Sequence, residues 1–380
     1  MSQCKTNVLF FMDGIGNAGG IQEMAIKWME NIDREKVHID ILSYDTGKRD
    51  SYPDRVGKYG CRVYMIPTYV KKGSFLKSLK ATKDFFKSHR GEYQILHAHA
   101  SAKALFIIWY AKRYGIKTRI LHAHVSQAIS KSKIQRVAAY LFKIPVNLLI
   151  TDQFACSPEA GEYLFGKRAV KDGKVVIAHN GIDTAQFYPE EAVRTAVRRE
   201  LGVDGKFVIG NVGRFRYQKN HDYLIDIFAT VYRKDKDAVL VCVGSGELED
   251  AIKEKCRRLK IEDRGQFLGF RSDVNRIMQA FDLLVMPSHF EGLPVTGVEA
   301  QALGVPVLFA TTITKDAAIL PQSSYLPLED SPEKWAEKIL EYKGIARESN
   351  PHQWIALKGY DIQQETKKLE SFYLNHAARH

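Results

Sequence analysis

LLVMPSHFEGLPVTGVEAQALGVPVLF, residues 283–309, combines two apolar runs with a helical stretch between them. The runs at 283–286 and 305–309 are typical of buried strands. The helix between them is predicted to start near Pro294 and to end near Gly304, because glycine favours a helix end and a proline two residues later stops the helix. This order of elements favours a parallel sheet with helices on its faces.

The same alternation continues outward from this stretch in both directions. In the second half, the predicted strands are 207–212, 238–243 and 266–268, and the predicted helices are 221–233 and 248–259. In the first half, the predicted strands are 7–12, 37–42, 61–66, 95–97, 118–122, 148–151 and 175–177, and the predicted helices are 20–31 and 74–88. The polar segment 180–200 is predicted to link the halves, and a last helix is predicted at 361–373. The sequence therefore predicts an α/β protein with two domains.

The composition is that of an ordinary globular protein, with 45% hydrophobic and 26% charged residues among 380. No run of about 18 uncharged apolar residues occurs, so no transmembrane helix is expected. The apolar run at 7–12 is too short for a signal peptide. The five cysteines include no C-x-x-C pair, so neither a disulfide framework nor a zinc site is expected, and a reducing cytoplasm is the expected compartment.

Positive charge is concentrated in one part of the chain. The net charge is +12, and residues 51–150 carry 19 Lys/Arg against 3 Asp/Glu. Such a patch suits an anionic partner such as lipid head groups or a phosphorylated substrate, whereas the alternative is a solvated basic face. Aromatic residues there are not arranged as in nucleic-acid-binding modules, so no nucleic acid is expected as a partner.

A glycine-rich loop follows the first predicted strand. Gly14, Gly16 and Gly19 match the pattern G-x-G-x-x-G before a helix, where backbone N–H groups favour phosphate. This pattern also occurs in NAD-dependent oxidoreductases, in which an acidic residue about 20 positions further on binds ribose. Asp40 could serve in that way, so an oxidoreductase remains an alternative, as does a flexible turn.

Two cations follow the first strand of the second half. Arg214 and Lys219 come just after the carboxyl end of that strand, the edge at which open α/β sheets bind ligands. Two positive charges at this edge could neutralise a diphosphate leaving group. The alternative is that both are solvated surface residues.

The stretch 283–309 also contains two carboxylates, Glu291 and Glu299, eight residues apart. Glu291 is predicted to lie in the loop before the helix and Glu299 about one turn into the helix. Carboxylates placed here could accept hydrogen bonds from sugar and ribose hydroxyls, because buried charged groups need partners. The alternative is a helix-start carboxylate and an ordinary surface glutamate.

Together with Gly244-x-Gly246 and the segment AHNGID at 178–183, these residues resemble family 4 of the glycosyltransferases, in the branch that makes bacterial exopolysaccharide or capsule. The resemblance covers nearly the whole chain. It implies the GT-B fold, with two Rossmann-like domains facing each other across a cleft. Residues 1–180 would be the acceptor-side domain, 181–355 the nucleotide-sugar domain, and 356–380 a helix that crosses back to the first domain.

The resemblance also implies a role for each matching residue. Arg214 and Lys219 would hold the donor diphosphate, Glu291 the transferred sugar, and Glu299 the ribose. His124 matches the histidine that faces the reacting sugar, and His122, His97 and His99 are rivals for that role. The remaining donor contacts would come from Gly19, Gly20, Val274, Gly292 and Leu293.

The implied activity is retaining transfer of a hexosyl or N-acetylhexosaminyl group from a nucleotide-diphosphate sugar, a UDP-sugar, to a glycan or lipid-linked acceptor. No D-x-D motif lies in a suitable loop, so no metal and no cofactor are expected, and the two cations take the place of a metal. Two features depart from the family pattern: Pro294 stands where many relatives have glycine, and 311–319 lacks a glycine-rich turn. A non-catalytic GT-B protein that binds glycans or a partner remains an alternative.

The basic region suggests a membrane partner for this activity. The segment 70–87 contains six lysines and the apolar residues Phe75, Leu76, Leu79, Phe85 and Phe86. A helix there is predicted to present an apolar stripe beside cations, which suits an anionic lipid surface. The expected location is therefore cytoplasmic, peripheral at the inner face of the bacterial membrane, and the alternative is that the aromatic residues pack inward.

Overall fold

The chain forms two compact units, Met1–Gly181 with Ile362–His380 and Ile182–Asp361. The structure is a computed structural model. It describes residues 5–15, 20–45, 47, 51–68, 74–100, 104–124, 146–291 and 293–378.

Unit 1 is built on a parallel sheet of seven strands in the order β3-β2-β1-β4-β5-β6-β7. Its strands are β1 (Thr6–Met12), β2 (Val37–Asp45), β3 (Val63–Pro67), β4 (Ile95–His99), β5 (Thr118–Ala123), β6 (Asp152–Ala155) and β7 (Val175–Ile177). In β1, Val8 and Phe10 face one hydrophobic cluster whereas Leu9 and Phe11 face another. Both faces of the sheet are therefore buried, as the near-continuous apolar run of this strand predicts.

Unit 2 is built on a parallel sheet of six strands in the order β10-β9-β8-β11-β12-β13. Its strands are β8 (Phe207–Val212), β9 (Ala238–Val243), β10 (Gly265–Phe267), β11 (Leu283–Met286), β12 (Val307–Ala310) and β13 (Ser324–Leu326). The strand order reverses between β8 and β11. In open α/β sheets, ligands bind outside the carboxyl ends of the strands at such a reversal.

Helices connect the strands of both units. In chain order they are α1 (Gly20–Asn31), α2 (Tyr52–Gly57), α3 (Phe75–Ser88), α4 (Leu105–Arg113), α5 (Pro158–Phe165), α6 (Lys167–Lys171), α7 (Glu191–Glu200), α8 (His221–Lys234), α9 (Glu249–Arg258), α10 (Val274–Met278), α11 (Val295–Ala302), α12 (Pro332–Leu340), α13 (Pro351–Leu357) and α14 (Ile362–Ala377). The last of these packs in unit 1, where Leu369 and Tyr373 are buried in the same cluster as Phe10.

The units divide between residues 181 and 182 and again between 361 and 362. Within unit 1, a Cβ on Gly181 would lie 2.8 Å from the Cα of Ile362, so only glycine fits there. Within unit 2, the amide of Ile182 donates to the carbonyl of Tyr360.

Two local predictions from the sequence were wrong. The strand expected at 148–151 lies instead at β6, and Leu148 is 77% exposed. The segment 180–200 is not only a linker, because its second half forms α7 in unit 2. Arg194 of α7 pairs with Asp282 at 2.5 Å, a contact to a distant residue that no local pattern reveals.

Candidate active site

The scaffold of the site is a set of loops that follow β8, β9 and β10. The amide of Gly213 donates to the carbonyl of Val243 at 2.9 Å, and the amide of Gly244 donates to that of Gly269 at 2.8 Å. Gly244 has a φ of 137°, and a Cβ there would lie 2.1 Å from the carbonyl oxygen of Gly213. Glycine is therefore required at Gly244, since any side chain would push the loops apart.

Lys219 lies across the loop after β8. A Cβ on Gly213 would lie 2.9 Å from the Cε of Lys219, so the glycine leaves space for the lysine stem. The ammonium group lies 2.6 Å from Oε1 of Glu291, and the two side chains are only 17% and 10% exposed. The two residues expected to hold the diphosphate and the sugar thus form an ion pair at the reversal of strand order.

Gln218 supports this pair, although no role was predicted for it. Its Nε2 donates to Oε2 of Glu291 and to the carbonyl of Phe290, each at 3.2 Å. Its own carbonyl accepts from the amide of His289 at 2.9 Å. The loop after β11 is therefore held against the loop after β8 by main chain and side chain together, which limits the positions available to the carboxylate of Glu291.

Arg214 differs from Lys219 in its surroundings. It is exposed, and among the described residues no carboxylate lies within ion-pair distance of its guanidinium. Since Lys219 is matched by Glu291, the charge of Arg214 leaves this group of three with a net positive charge. An anion such as a diphosphate could be bound there.

His221 lies beside these cations and is buried against Phe215, with ring centroids 4.1 Å apart. Burial and, to a smaller extent, the charge of Lys219 lower the pKa of His221 to about 4. The imidazole is therefore neutral at neutral pH. The cationic groups of the site are the lysine and the arginine rather than this histidine.

The other expected donor residues of unit 2 lie on neighbouring elements. Glu299 lies in α11, one turn after the start of that helix, and Leu293 in the loop before it packs against the core. Pro294 occupies the N-cap position, so it supplies no amide there, as its departure from the family pattern implied. Val274 is the first residue of α10 and also packs against the core.

The segment after β12 is held by Gln301, which is completely buried. Its Nε2 donates to the carbonyl of Ala317, and its Oε1 accepts from the amides of Ile319 and Leu320 at 2.7 and 2.9 Å. These bonds attach the segment that lacks a glycine-rich turn to the helix that carries Glu299. A side chain thus positions this loop.

In unit 1, the four histidines considered for the reacting sugar lie together at the ends of β4 and β5. His97 Nε2 lies 3.1 Å from His122 Nδ1, and His99 Nδ1 lies 3.1 Å from His124 Nε2. His97, His99 and His122 are buried, whereas His124 is half-buried just beyond the end of β5. Of the four, His124 is the one that is partly exposed, although its Nδ1 is buried.

All four imidazoles are neutral at neutral pH. Burial lowers the pKa of His97, His99 and His122 well below 6.5, and neighbouring imidazoles lower it further. Burial alone lowers the pKa of His124 to about 3. A neutral imidazole can accept or donate a hydrogen bond but adds no charge.

Three of these histidines, His97, His99 and His122, have ring nitrogens within 4.8 Å of one another, a spacing that could hold a metal ion. Nε2 of His97 and Nδ1 of His122 hydrogen bond to each other. The other nitrogen of His97 bonds to the hydroxyl of Tyr373 at 2.6 Å. Both ring nitrogens of His97 are therefore already engaged in hydrogen bonds.

Asp40, the acidic residue considered for an oxidoreductase, has a structural role. It is completely buried, and its carboxylate accepts hydrogen bonds from the amide and guanidinium of Arg62 and from the hydroxyl of Tyr93. Burial alone would raise the pKa of Asp40, but these bonds and one from His38 hold it well below its usual range. All its oxygens are engaged within unit 1, which leaves none for a ribose.

Two of the expected site residues, Gly19 and Gly292, lie outside the described residues. Gly20 is the first residue of α1, directly after the glycine-rich loop. Gly14, in that loop, has a φ of 144° that favours glycine.

The structure also corrects the predicted apolar stripe of α3. Phe85 and Phe86 are buried in the core of unit 1, because the helical period turns them towards the sheet. Phe75 and Leu76 are 44% and 78% exposed, and Trp109 of the neighbouring α4 is 46% exposed. The exposed apolar surface is therefore shared by the first turn of α3 and by α4. Among the described residues, no helix is both long and apolar enough to cross a membrane.

Residues 193–349, which lie in unit 2, match the family model of the glycosyl transferases group 1. Over this range, unit 2 is therefore similar to the group 1 glycosyltransferases. The chain is 29% identical over 379 residues to the putative glycosyltransferase EpsF of Bacillus subtilis, and the match covers 98% of this chain and 97% of that relative. It is 26% identical over 296 residues to the UDP-Gal:alpha-D-GlcNAc-diphosphoundecaprenol alpha-1,3-galactosyltransferase of Escherichia coli, covering 76% and 75% of the two chains.

Solved structures show that this chain has the GT-B fold. Anabaena HepE in complex with UDP has a TM-score of 0.71 at 18% identity. A glycosyltransferase from Rickettsia africae has a TM-score of 0.77 at 15% identity. Each match covers 98% of both chains. The fold expected from the sequence is therefore confirmed.

Proposed function

We propose that this protein is a glycosyltransferase that transfers a hexosyl or N-acetylhexosaminyl group from a UDP-sugar to a glycan or lipid-linked acceptor, with retention of configuration and without a metal ion. The reaction would be a step in the synthesis of a bacterial cell-surface polysaccharide. The proposed location is the inner face of the cell membrane.

The observation that carries this proposal is the ion pair of Lys219 and Glu291, 2.6 Å long, at the reversal of strand order in unit 2. The carboxylate can accept hydrogen bonds from sugar hydroxyls, and the ammonium group can approach the adjoining phosphates. Arg214 supplies a second cation in the same loop. Preorganised charge of this kind stabilises the negative charge that develops on a leaving diphosphate.

The proposed chemistry needs no covalent enzyme intermediate. The bond between the anomeric carbon of the sugar and the diphosphate oxygen breaks as the acceptor oxygen attacks from the same face. The proton of the acceptor hydroxyl passes to the departing phosphate oxygen. Lys219 and Arg214 stabilise that oxygen, and Glu291 and Glu299 hold the sugar and the ribose.

The comparisons support the choice of substrates. The Escherichia coli relative is named for transfer from UDP-Gal to a diphosphoundecaprenol-linked sugar. Anabaena HepE has been solved with UDP-glucose. A relative from Erwinia amylovora is named as an amylovoran biosynthesis glycosyltransferase, 22% identical over 330 residues. The first two names fit a nucleotide-sugar donor, and the third fits a polysaccharide product.

The test starts with a thermal-shift panel of UDP- and GDP-sugars, because a ligand bound by the folded state raises its apparent stability. Transfer of the radiolabelled sugar of the best binder is then measured with and without excess chelator. Activity is expected to survive chelation. If chelator abolishes transfer and magnesium restores it, metal independence is wrong; if the donor binds but is never transferred or hydrolysed, the non-catalytic alternative is correct.

Arg214→Ala and Lys219→Ala are each expected to lower turnover by roughly 10²-fold or more, because each removes preorganised charge stabilisation. Arg216→Ala is the matched control, since Arg216 lies in the same loop but pairs with Glu247 at 3.6 Å. Equal turnover in all three variants would contradict the assignment of the diphosphate site.

A further inference from the structure

Tyr217 and His289 form an exposed aromatic stack beside the candidate active site. Their rings are nearly parallel, with an angle of 19° and centroids 4.3 Å apart. Tyr217 is nevertheless 70% exposed, so one face of its ring lies on the imidazole while the other meets solvent. The next residue after His289 is Phe290, which is 55% exposed.

The stack is attached to the same framework as the ion pair of Lys219 and Glu291. Tyr217 directly precedes Gln218, whose carbonyl accepts from the amide of His289 at 2.9 Å. The side chain of Gln218 bonds to Glu291, two residues after His289. The open face of Tyr217 is therefore positioned by the residues that position the sugar-binding carboxylate.

The fold does not need an exposed tyrosine at this position. Neither Tyr217 nor His289 is part of the hydrophobic clusters of unit 2. An exposed large ring keeps apolar area in contact with water, which is unfavourable until something covers it. A ligand that covers the ring would remove that area from water.

The chemistry of an aromatic face selects one kind of ligand here. The π-face carries partial negative charge, so it attracts polarised C–H groups. A pyranose ring presents such C–H groups on one face, while its hydroxyls point outward to acceptors such as the carboxylate of Glu291. Both kinds of group occur together at this edge of unit 2.

We propose that Tyr217, backed by His289, is a platform for the apolar face of a pyranose ring bound beside Glu291. The proposal rests on the proposed function, because it needs a sugar at that carboxylate. The ring could be the transferred sugar of the donor or the sugar of the acceptor that receives it. Tyr217 would then contribute to the choice of substrate as well as to affinity.

The test compares Tyr217→Ala, which removes the ring, with Tyr217→Phe, which keeps the ring and removes the hydroxyl. Tyr188→Ala is the matched control, because Tyr188 is 56% exposed in the same unit and packs edge-on against His352 instead. For each variant, calorimetry measures the affinity for UDP and for the UDP-sugar selected by the panel. Steady-state transfer then measures the KM for the acceptor.

If the platform holds the donor sugar, Tyr217→Ala weakens binding of the UDP-sugar by roughly fivefold and leaves UDP binding unchanged, the change expected when about 40 Å² of apolar contact is lost. If it holds the acceptor sugar, only the KM for the acceptor rises by a similar factor. In either case Tyr217→Phe and Tyr188→Ala behave like wild type.

The platform is ruled out if Tyr217→Ala leaves both the affinity for the UDP-sugar and the KM for the acceptor unchanged while wild type binds and transfers normally. It is equally ruled out if Tyr217→Phe loses as much as Tyr217→Ala, because the hydroxyl rather than the ring would then be responsible. A wild-type protein that binds no nucleotide sugar would instead overturn the proposed function, and the platform with it.

Discussion

Glu291 and Glu299 lie eight residues apart in the chain but in different local structures. Glu291 is in the loop before α11, paired with Lys219 and bonded by Gln218. Glu299 is in α11 itself, half-buried. The carboxylate of Glu291 is thus paired with the cation proposed for the diphosphate, whereas Glu299 is carried by the helix. The two residues are expected to act on different parts of the donor.

Glu291→Gln is therefore expected to lower kcat, because it weakens contacts with the reacting sugar. Glu299→Gln is expected to raise the KM for the donor, because it weakens contacts with the ribose. Donor-saturation kinetics on both variants measures the difference. Glu247→Gln is a suitable control, because Glu247 lies at an exposed position. Gln301→Glu is unsuitable, because Gln301 holds a loop. Small and equal effects of the two site variants would contradict the assignment.

At the scale of elements, β4 and β5 end in a layer of imidazoles that is enclosed by aromatic rings. His97 and His122 lie nearly parallel, with centroids 5.2 Å apart, and Trp28 of α1 stacks on both. Two parallel strands bring these side chains to one edge, and α1 covers them. The layer can pack in this way only while its members are neutral, because protonated imidazoles would repel one another in a buried site.

Unit 1 is accordingly expected to lose stability in mild acid. Burial lowers the pKa of these histidines in the folded state, to about 3 for His124, from the usual 6.5. Between these values the unfolded chain binds protons that the folded chain does not. The contribution of these neutral histidines to the free energy of unfolding is therefore complete above about pH 6.5. It is lost as the pH falls towards 3.

Urea unfolding followed by circular dichroism at pH 7.5, 6 and 5 measures this effect. The free energy of unfolding is expected to fall by up to about 1.4 kcal/mol per pH unit for each proton taken up on unfolding. His122→Gln should flatten this dependence. Phe10→Leu, which disturbs the same layer without removing a titrating group, should lower stability at every pH and keep the slope. Identical slopes in wild type and His122→Gln would refute the prediction.

At the scale of the whole molecule, the excess of positive charge lies in residues 51–150, all of which belong to unit 1. The exposed residues Phe75, Leu76 and Trp109 lie on two of its helices, and Lys77, Lys80 and Lys83 are exposed on α3. Cations beside exposed apolar side chains suit the surface of an anionic bilayer, with the apolar groups entering the interface. Unit 2, which carries the proposed donor site, has no such excess.

The protein is therefore expected to sediment with liposomes that contain anionic lipid, and to be released by salt. Each lysine near such a surface contributes about 1 kcal/mol, so changing Lys77, Lys80 and Lys83 to Glu should weaken binding by roughly 100-fold or more. Changing the exposed Lys236, Lys260 and Lys358 of unit 2 to Glu is the control with the same change of net charge. Failure of wild type to bind at low salt, or equal loss in both triple variants, would favour a soluble acceptor.

The sequence by itself determined the α/β class, the two halves and most of the strands, because strand and helix periods are local properties of the chain. It also predicts that Arg214, Lys219 and Glu291 are site residues, because each follows a predicted strand. Two predictions failed, the strand at 148–151 and the linker in place of α7, and both failures have causes in the local sequence. The run at 148–151 is too short for its period to separate strand from helix, and α7 is mostly polar on its exposed side.

Only the tertiary structure decided which of these residues meet. Gln218 and Glu291 are 73 positions apart and bond because β8 and β11 are neighbours in the sheet. The same arrangement brings Tyr217 onto His289. In unit 1, packing against the sheet buries Phe85 in the core. Strand order and the choice of a buried face depend on packing between distant segments, and no local stretch of sequence contains that information.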